Sequence, residues 1–221
     1  MVRFVGPDAL RPGLHAWLAS AASRDPDTGL WWSWVSDGSD TSAYPYEEAT
    51  AWALGVGVEN ARGRDALCRA LRTRPLQRAG RAYLFDTGVA LDAAIATGDD
   101  ELRTLALDHT LTLLKARVAV ESGPPLGEET ESTRWSDAFG AHQLWLIRPL
   151  VRAGYLAEAR ALFADVWPRI AGRGVFGLPA IHGASTRAYC HAAAYAAEGL
   201  RWLDDGGRAA ALEIVNALLK A

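Results

Sequence analysis

Four ionisable side chains lie at or near the starts of segments that are otherwise apolar or small. They are Glu48 in EATAWALGVGV, Asp86 in YLFDTGVALDAAIA, Asp137 in DAFGAHQLWLIRPLV and His191 in AYCHAAAYAAEGLRWL. A carboxylate in such surroundings needs a partner or a shifted pKa, which makes it a candidate acid or base. Glu47 and Glu48 are adjacent and point about 100° apart on a helix, so at most one of them faces a shared pocket. Glu48 is the choice, because Ala49-Thr50-Ala51-Trp52 continues the buried segment from it. Glu48 and Asp86 form the expected acid–base pair, with Asp137 and His191 assisting. A Cys190–His191 nucleophilic pair is set aside, since adjacent helical residues diverge.

Aromatic residues supply the second kind of chemistry. Trp31, Trp32 and Trp34 stand almost together in a polar stretch that continues to Tyr44 and Tyr46. With Trp135, His142 and Tyr189 they are the expected substrate-binding set. Such rings stack on the C–H faces of sugars or line a pocket for an apolar, transiently cationic substrate. They also suit the cap of a large core, and the residues alone leave both roles open. Asp25-x-Asp27-x-Gly29 resembles the start of a calcium loop but has no acid at the twelfth position, so no metal is expected. Walker, Rossmann, HExxH and nucleophile-elbow patterns are absent, and no cofactor is expected.

Composition bounds these readings. The chain has 221 residues, 50% hydrophobic and 22% charged, which suits one sizeable core and a single domain over 1–221. A net charge of −3 and a pI near 6.0 argue against nucleic acid as a partner. No apolar run approaches the ~20 residues of a membrane span. The start lacks the 7–15-residue apolar stretch of a secretory signal, and two cysteines make no disulfide framework. The expectation is a cytoplasmic protein with a small-molecule substrate, a sugar or an apolar metabolite.

The elements that must position these residues read as all-α, with almost no strand signal. Amphipathic segments around Leu10–Ala21, Leu102–Val118, Leu156–Ile170 and Ala210–Leu219 each expect one face in water. They alternate with the apolar segments 48–58, 83–96, 137–151 and 188–203, which expect burial on all sides. Alternating outer and inner helices predict an α/α toroid. Links out of inner helices are short, whereas links into them are long: 23–47, 74–81, 121–134 and 172–187. In an antiparallel array those long links share one end, at the N-termini of the inner helices, and form the rim of a pocket.

Tyr44-Pro45-Tyr46-Glu47-Glu48-Ala49-Thr50-Ala51-Trp52 resembles the Tyr-Pro-Glu-x-Thr-Gly-Tyr motif of bacterial six-hairpin-glycosidase-like α/α-toroid proteins, with one or two residues inserted after the proline and Ala51-Trp52 in place of Gly-Tyr. Phe85-Asp86-Thr87-Gly88 is similar to their Phe-Asp-Thr-Gly segment. Cys190-His191-Ala192-Ala193-Ala194-Tyr195-Ala196-Ala197-Glu198-Gly199-Leu200 is similar to their closing helix. The resemblance implies a carbohydrate-active enzyme that hydrolyses, eliminates or epimerises. Related toroids cyclise isoprenoids, which gives an alternative as a cyclase or isomerase of a hydrophobic biosynthetic intermediate, although the Asp-x-Asp-Asp acid motif is missing. A non-catalytic binding or scaffold protein is the third reading. The chain is short for a complete six-hairpin ring, so a reduced or incomplete toroid is expected, with a homodimer partner able to complete the wall.

Overall fold

The computed structural model describes residues 16, 18–20, 23–32, 45–78, 81–82, 84–119, 143–170 and 190–219. The chain divides into two compact units, Met1–Leu111 and Thr112–Ala221. In the first, α1 (Glu47–Gly55), α2 (Ala61–Leu71), a ribbon of β1 (Gln77–Arg78) and β2 (Arg81–Ala82), and α3 (Leu84–Thr97) follow one another. The helix α4 (Asp100–Ala119) starts in this unit and runs across the division. The second unit holds a 3-10 turn (Gln143–Leu146), α5 (Ile147–Arg152), α6 (Leu156–Ile170), α7 (Cys190–Leu200) and α8 (Asp205–Leu218). The described residues are all-α apart from the ribbon and two isolated bridges. Strands of two residues are too short to leave an alternation pattern, so the sequence reading has no place for them. Among the described residues, no helix is long and apolar enough to cross a membrane.

Burial alternates strictly along the described helices. No described residue of α1, α5 or α7 is exposed, and α3 is buried without a break from Leu84 to Ala94. By contrast, α2, α4, α6 and α8 each keep one face in water. In α3 the large side chains Leu84, Phe85, Val89 and Leu91 are fully buried. Their burial contributes on the order of 6–12 kcal/mol before chain entropy is subtracted.

Three inner helices end in one way. Gly57, Gly98 and Gly154 have φ of +84°, +71° and +91°. The next amide in each case reaches back to the last turn: Val58 N to Ala53 O at 3.1 Å, Asp99 N to Ala94 O at 3.0 Å, and Tyr155 N to Leu150 O at 2.8 Å. This left-handed stop favours glycine and turns the chain at once into the following outer helix. The short exits expected from α3 and α5 at Gly98 and Gly154 are thus tight helix caps.

In the second unit, α7 packs on the 3-10 turn, on α5 and on α8. Trp145 is fully buried and meets Tyr195 edge-on, with centroids 6.4 Å apart. Gly199 permits the approach, for a Cβ there would sit 2.0 Å from Leu144 O and 2.6 Å from Trp145 Cα. Arg148 forms an ion pair with Glu198 and lies over the Trp202 ring, 5.9 Å from its centroid. Of the third inner helix, expected over 137–151, the described residues form a 3-10 turn over Gln143–Leu146 and an α-helix from Ile147. Pro149 has no N–H for a carbonyl four residues back, and the turn before it tightens to 3-10.

Candidate functional site

The first turns of α1 and α3 lie at the same end of two packed helices. Two consecutive amides of the intervening link fix this. Leu76 N donates to Thr87 Oγ1 at 3.1 Å, and Gln77 N donates to Glu47 Oε2 at 2.8 Å. Glu47 also receives the Arg74 guanidinium on both oxygens, at 2.5 and 3.1 Å. That bond raises the pKa of Arg74 above its ordinary value. Glu47 is therefore a structural anchor that holds the link against α1.

Glu48, its neighbour, is half-buried and does something different. Trp52 Nε1, one turn on, donates to Glu48 Oε1 at 2.8 Å. The Trp52 ring lies 6.3 Å from the Phe85 ring at an angle of 47°. Phe85 immediately precedes Asp86, which is completely buried in the first turn of α3. Glu48 is thus tied to an aromatic contact between two adjacent helices, and Asp86 follows the ring that completes that contact in the sequence of α3. Trp52 stands outside the expected substrate-binding set, within the buried segment 48–58. The signal that finds it is the Glu48-to-Trp52 spacing of one helical turn.

The tryptophan segment is zipped to the start of α1. Tyr46 N donates to Trp31 O at 2.7 Å, Trp32 pairs with Pro45, and Arg24 pairs with Trp31. Trp31 N donates to Thr50 Oγ1 at 2.9 Å, and its indole donates to Leu18 O at 3.0 Å. With 3% exposure and Ala53 and Val58 packed around it, Trp31 is a core residue and not the ligand-facing ring expected of it. Extended backbone sends successive side chains to opposite sides, and Trp32 is accordingly half-buried. Tyr46, also half-buried, is the N-cap residue of α1. Trp32 and Tyr46 therefore stand at the Glu48 end of the helix.

Of the remaining expected site residues, Trp34, Tyr44, Trp135, Asp137, His142 and Tyr189 lie outside the described residues. His191 is the second residue of α7, and its side chain lies outside them too. The Asp25–Gly29 stretch is a closed turn. Asp25 Oδ2 accepts from Thr28 N at 2.9 Å and from the Thr28 hydroxyl, and Gly29 N returns to Asp25 O at 2.8 Å. Burial pushes the Asp25 carboxyl up, but the Thr28 bonds outweigh it and hold it below its usual value. Among the described residues, no group of three His, Cys, Asp or Glu side chains is placed to hold a metal ion.

A cleft of about 730 Å³ opens at the far end of α1 and α3, between Leu54, Asn60, Thr97 and Leu102. It lies away from Glu48 and Asp86. Asn60 builds one wall, where its Oδ1 caps α2 through Gly63 N at 3.0 Å and its Nδ2 donates to Gly29 O at 2.7 Å. Arg64 builds another, clasping Asp99 at 2.7 and 2.9 Å and reaching Glu101 at 2.8 Å. Arg64 holds the Asp99 carboxyl below its ordinary value. Comparison of the chain with protein-family models, curated proteins and solved structures gives no match.

Proposed function

We propose that the protein is a reduced α/α-toroid enzyme that acts on a sugar or glycoconjugate, with Glu48 and Asp86 as its acid–base pair. The observation that carries this reading is the placement of these two carboxylates in the first turns of adjacent helices. Asp86 is buried and Glu48 half-exposed, and the Trp52–Phe85 contact joins the two helices that carry them. Two carboxyl groups in unlike environments are how acid and base roles are divided between residues of one type. The strict alternation of inner and outer helices supports the toroid, and the long link 74–81 beside the inner-helix N-termini supports a pocket there.

In the hydrolytic form of the reading, Asp86 gives its proton to the glycosidic oxygen as that C–O bond breaks. Glu48, oriented by the Trp52 indole, takes a proton from the attacking water. Elimination and epimerisation use the same pair to remove and return a proton at carbon. Trp32 and Tyr46 supply stacking surface at this end of α1. The Trp52–Phe85 pair favours one second reading, a cyclase whose rings stabilise a carbocation.

The test is turnover of a panel of chromogenic glycosides and uronic acid oligosaccharides by the wild-type protein and by Glu48→Gln and Asp86→Asn. Each substitution is expected to lower turnover by about 10²–10⁴-fold, with the helical circular dichroism unchanged. A turned-over substrate on which both variants keep full activity removes the assignment.

A further inference from the structure

The cleft at the far end of α1 and α3 is lined by three arginines, Arg24, Arg62 and Arg64, and by the carboxylates Glu59 and Asp99. Arg64 and Asp99 cancel one another through their bidentate pair. The other two arginines are held differently. Arg62 NH1 and NH2 donate to Pro26 O and Asp27 O at 2.6 and 2.7 Å. Arg24 donates through Nε to Ser20 O at 3.3 Å and through NH2 to Ala19 O, and it lies over the Trp31 ring at 5.3 Å. Neutral carbonyls and an aromatic face fix both guanidiniums in place; the Asp25 carboxylate, bonded to Thr28, acts on Arg62 through space without a direct bond to it. Each guanidinium has five N–H donors, so each keeps donors beyond the two that these bonds use. Glu59 is exposed and answers one positive charge at most, which leaves the lining net positive. The N-terminus of α2, capped by Asn60, opens on the same space and adds its positive dipole end.

We infer that this cleft binds a phosphorylated small molecule, with the phosphate taken by Arg24 and Arg62 at the α2 N-terminus. Guanidinium donors match phosphate oxygens in geometry and charge. At about 730 Å³ the cleft has room beyond the phosphate for an organic group lying against Leu54 and Leu102. The site is separate from Glu48 and Asp86, and the inference does not depend on the proposed chemistry there.

The experiment follows the arginine Nε–Hε resonances of the full-length protein at constant ionic strength. Inorganic phosphate, glycerol 3-phosphate and glycerol are titrated in turn. The Arg24 and Arg62 signals are expected to shift saturably in the millimolar range with both phosphates and to stay still with glycerol. Arg103, outside the cleft lining, is expected to stay still throughout. Arg24→Gln and Arg62→Gln are each expected to weaken phosphate binding roughly tenfold. Glu59→Gln, which breaks no hydrogen bond of the cleft, is expected to tighten it roughly two- to fivefold. Non-saturating shifts, equal shifts with glycerol alone, or unchanged affinity in Arg24→Gln would overturn the inference.

Discussion

Replacing each of the two adjacent glutamates at the start of α1 in turn separates anchoring from chemistry. Glu47→Ala removes a bidentate acceptor for Arg74 and the acceptor of Gln77 N. The Glu47 side chain is 11% exposed and that of Arg74 is 35% exposed. The pair therefore ranks between a surface ion pair, worth 0–1 kcal/mol, and charge-assisted bonds at about 1.5–3 kcal/mol. Discounted for the exposed guanidinium, its loss costs about 1–2 kcal/mol. The orphaned Gln77 amide adds about 1 kcal/mol. The total is about 2–3 kcal/mol, or roughly 5–10 °C in Tm for a chain of this size. Glu48→Gln keeps an oxygen for the Trp52 indole and is expected to stay within about 0.5 kcal/mol of wild type. Urea and thermal unfolding, followed by far-UV circular dichroism, measure both variants, and turnover is read well below either midpoint. Glu47→Ala should be less stable yet active, and Glu48→Gln stable yet inactive. A Glu48→Gln variant destabilised as much as Glu47→Ala, or a Glu47→Ala variant of unchanged stability, refutes the division of labour.

Two further outcomes follow from the same geometry. Asp99 is held below its ordinary 3.8 by the Arg64 hydrogen bonds. Its stabilisation is therefore complete above that pH and disappears as the pH falls through the lower folded-state value. Urea midpoints measured from pH 7 to pH 2 should fall in the acid range, and Asp99→Asn, which keeps an oxygen for Leu102 N, should flatten that fall. Gly199→Ala sets a methyl 2.0 Å from Leu144 O with backbone on the receiving side. A loss of about 3 kcal/mol or more is expected in the unfolding free energy, with no effect on the first unit's phosphate titration.

The helical architecture was legible because periodicity reports which faces must be covered. Leu84 to Ala94 has no polar face, and it is buried all round; α6 has one polar face, and it meets water. Periodicity does not report what does the covering. Trp31 lies in a stretch rich in Asp, Ser and Gly and so looks like a rim residue. It is drawn inward by Leu18, Thr50 and Tyr46, partners up to 19 residues away. The Glu47–Arg74 pair spans 27 residues and is equally invisible to a local pattern. Glu48 and Glu47 differ in what holds them, the Trp52 indole one turn on and Arg74 from 27 residues away, and only the first partner lies at a local helical spacing. The role of Trp52 was hidden by composition, since an aromatic in an apolar helix reads as packing until its indole is seen on a carboxylate. The Arg24–Arg62 cleft left no trace in the sequence, because its arginines come from a loop and a helix brought together by Asn60 and Gly29.

The link that joins Leu76 to Thr87 and Gln77 to Glu47 also acts as a ruler. The two amides are one residue apart, and peptide planes do not stretch. The distance between the turns that carry Glu48 and Asp86 is thus inherited from covalent geometry in a segment that holds neither of them. Under the proposed function, a substrate spanning the two carboxylates is measured against Leu76–Gln77, a gauge built into the chain itself.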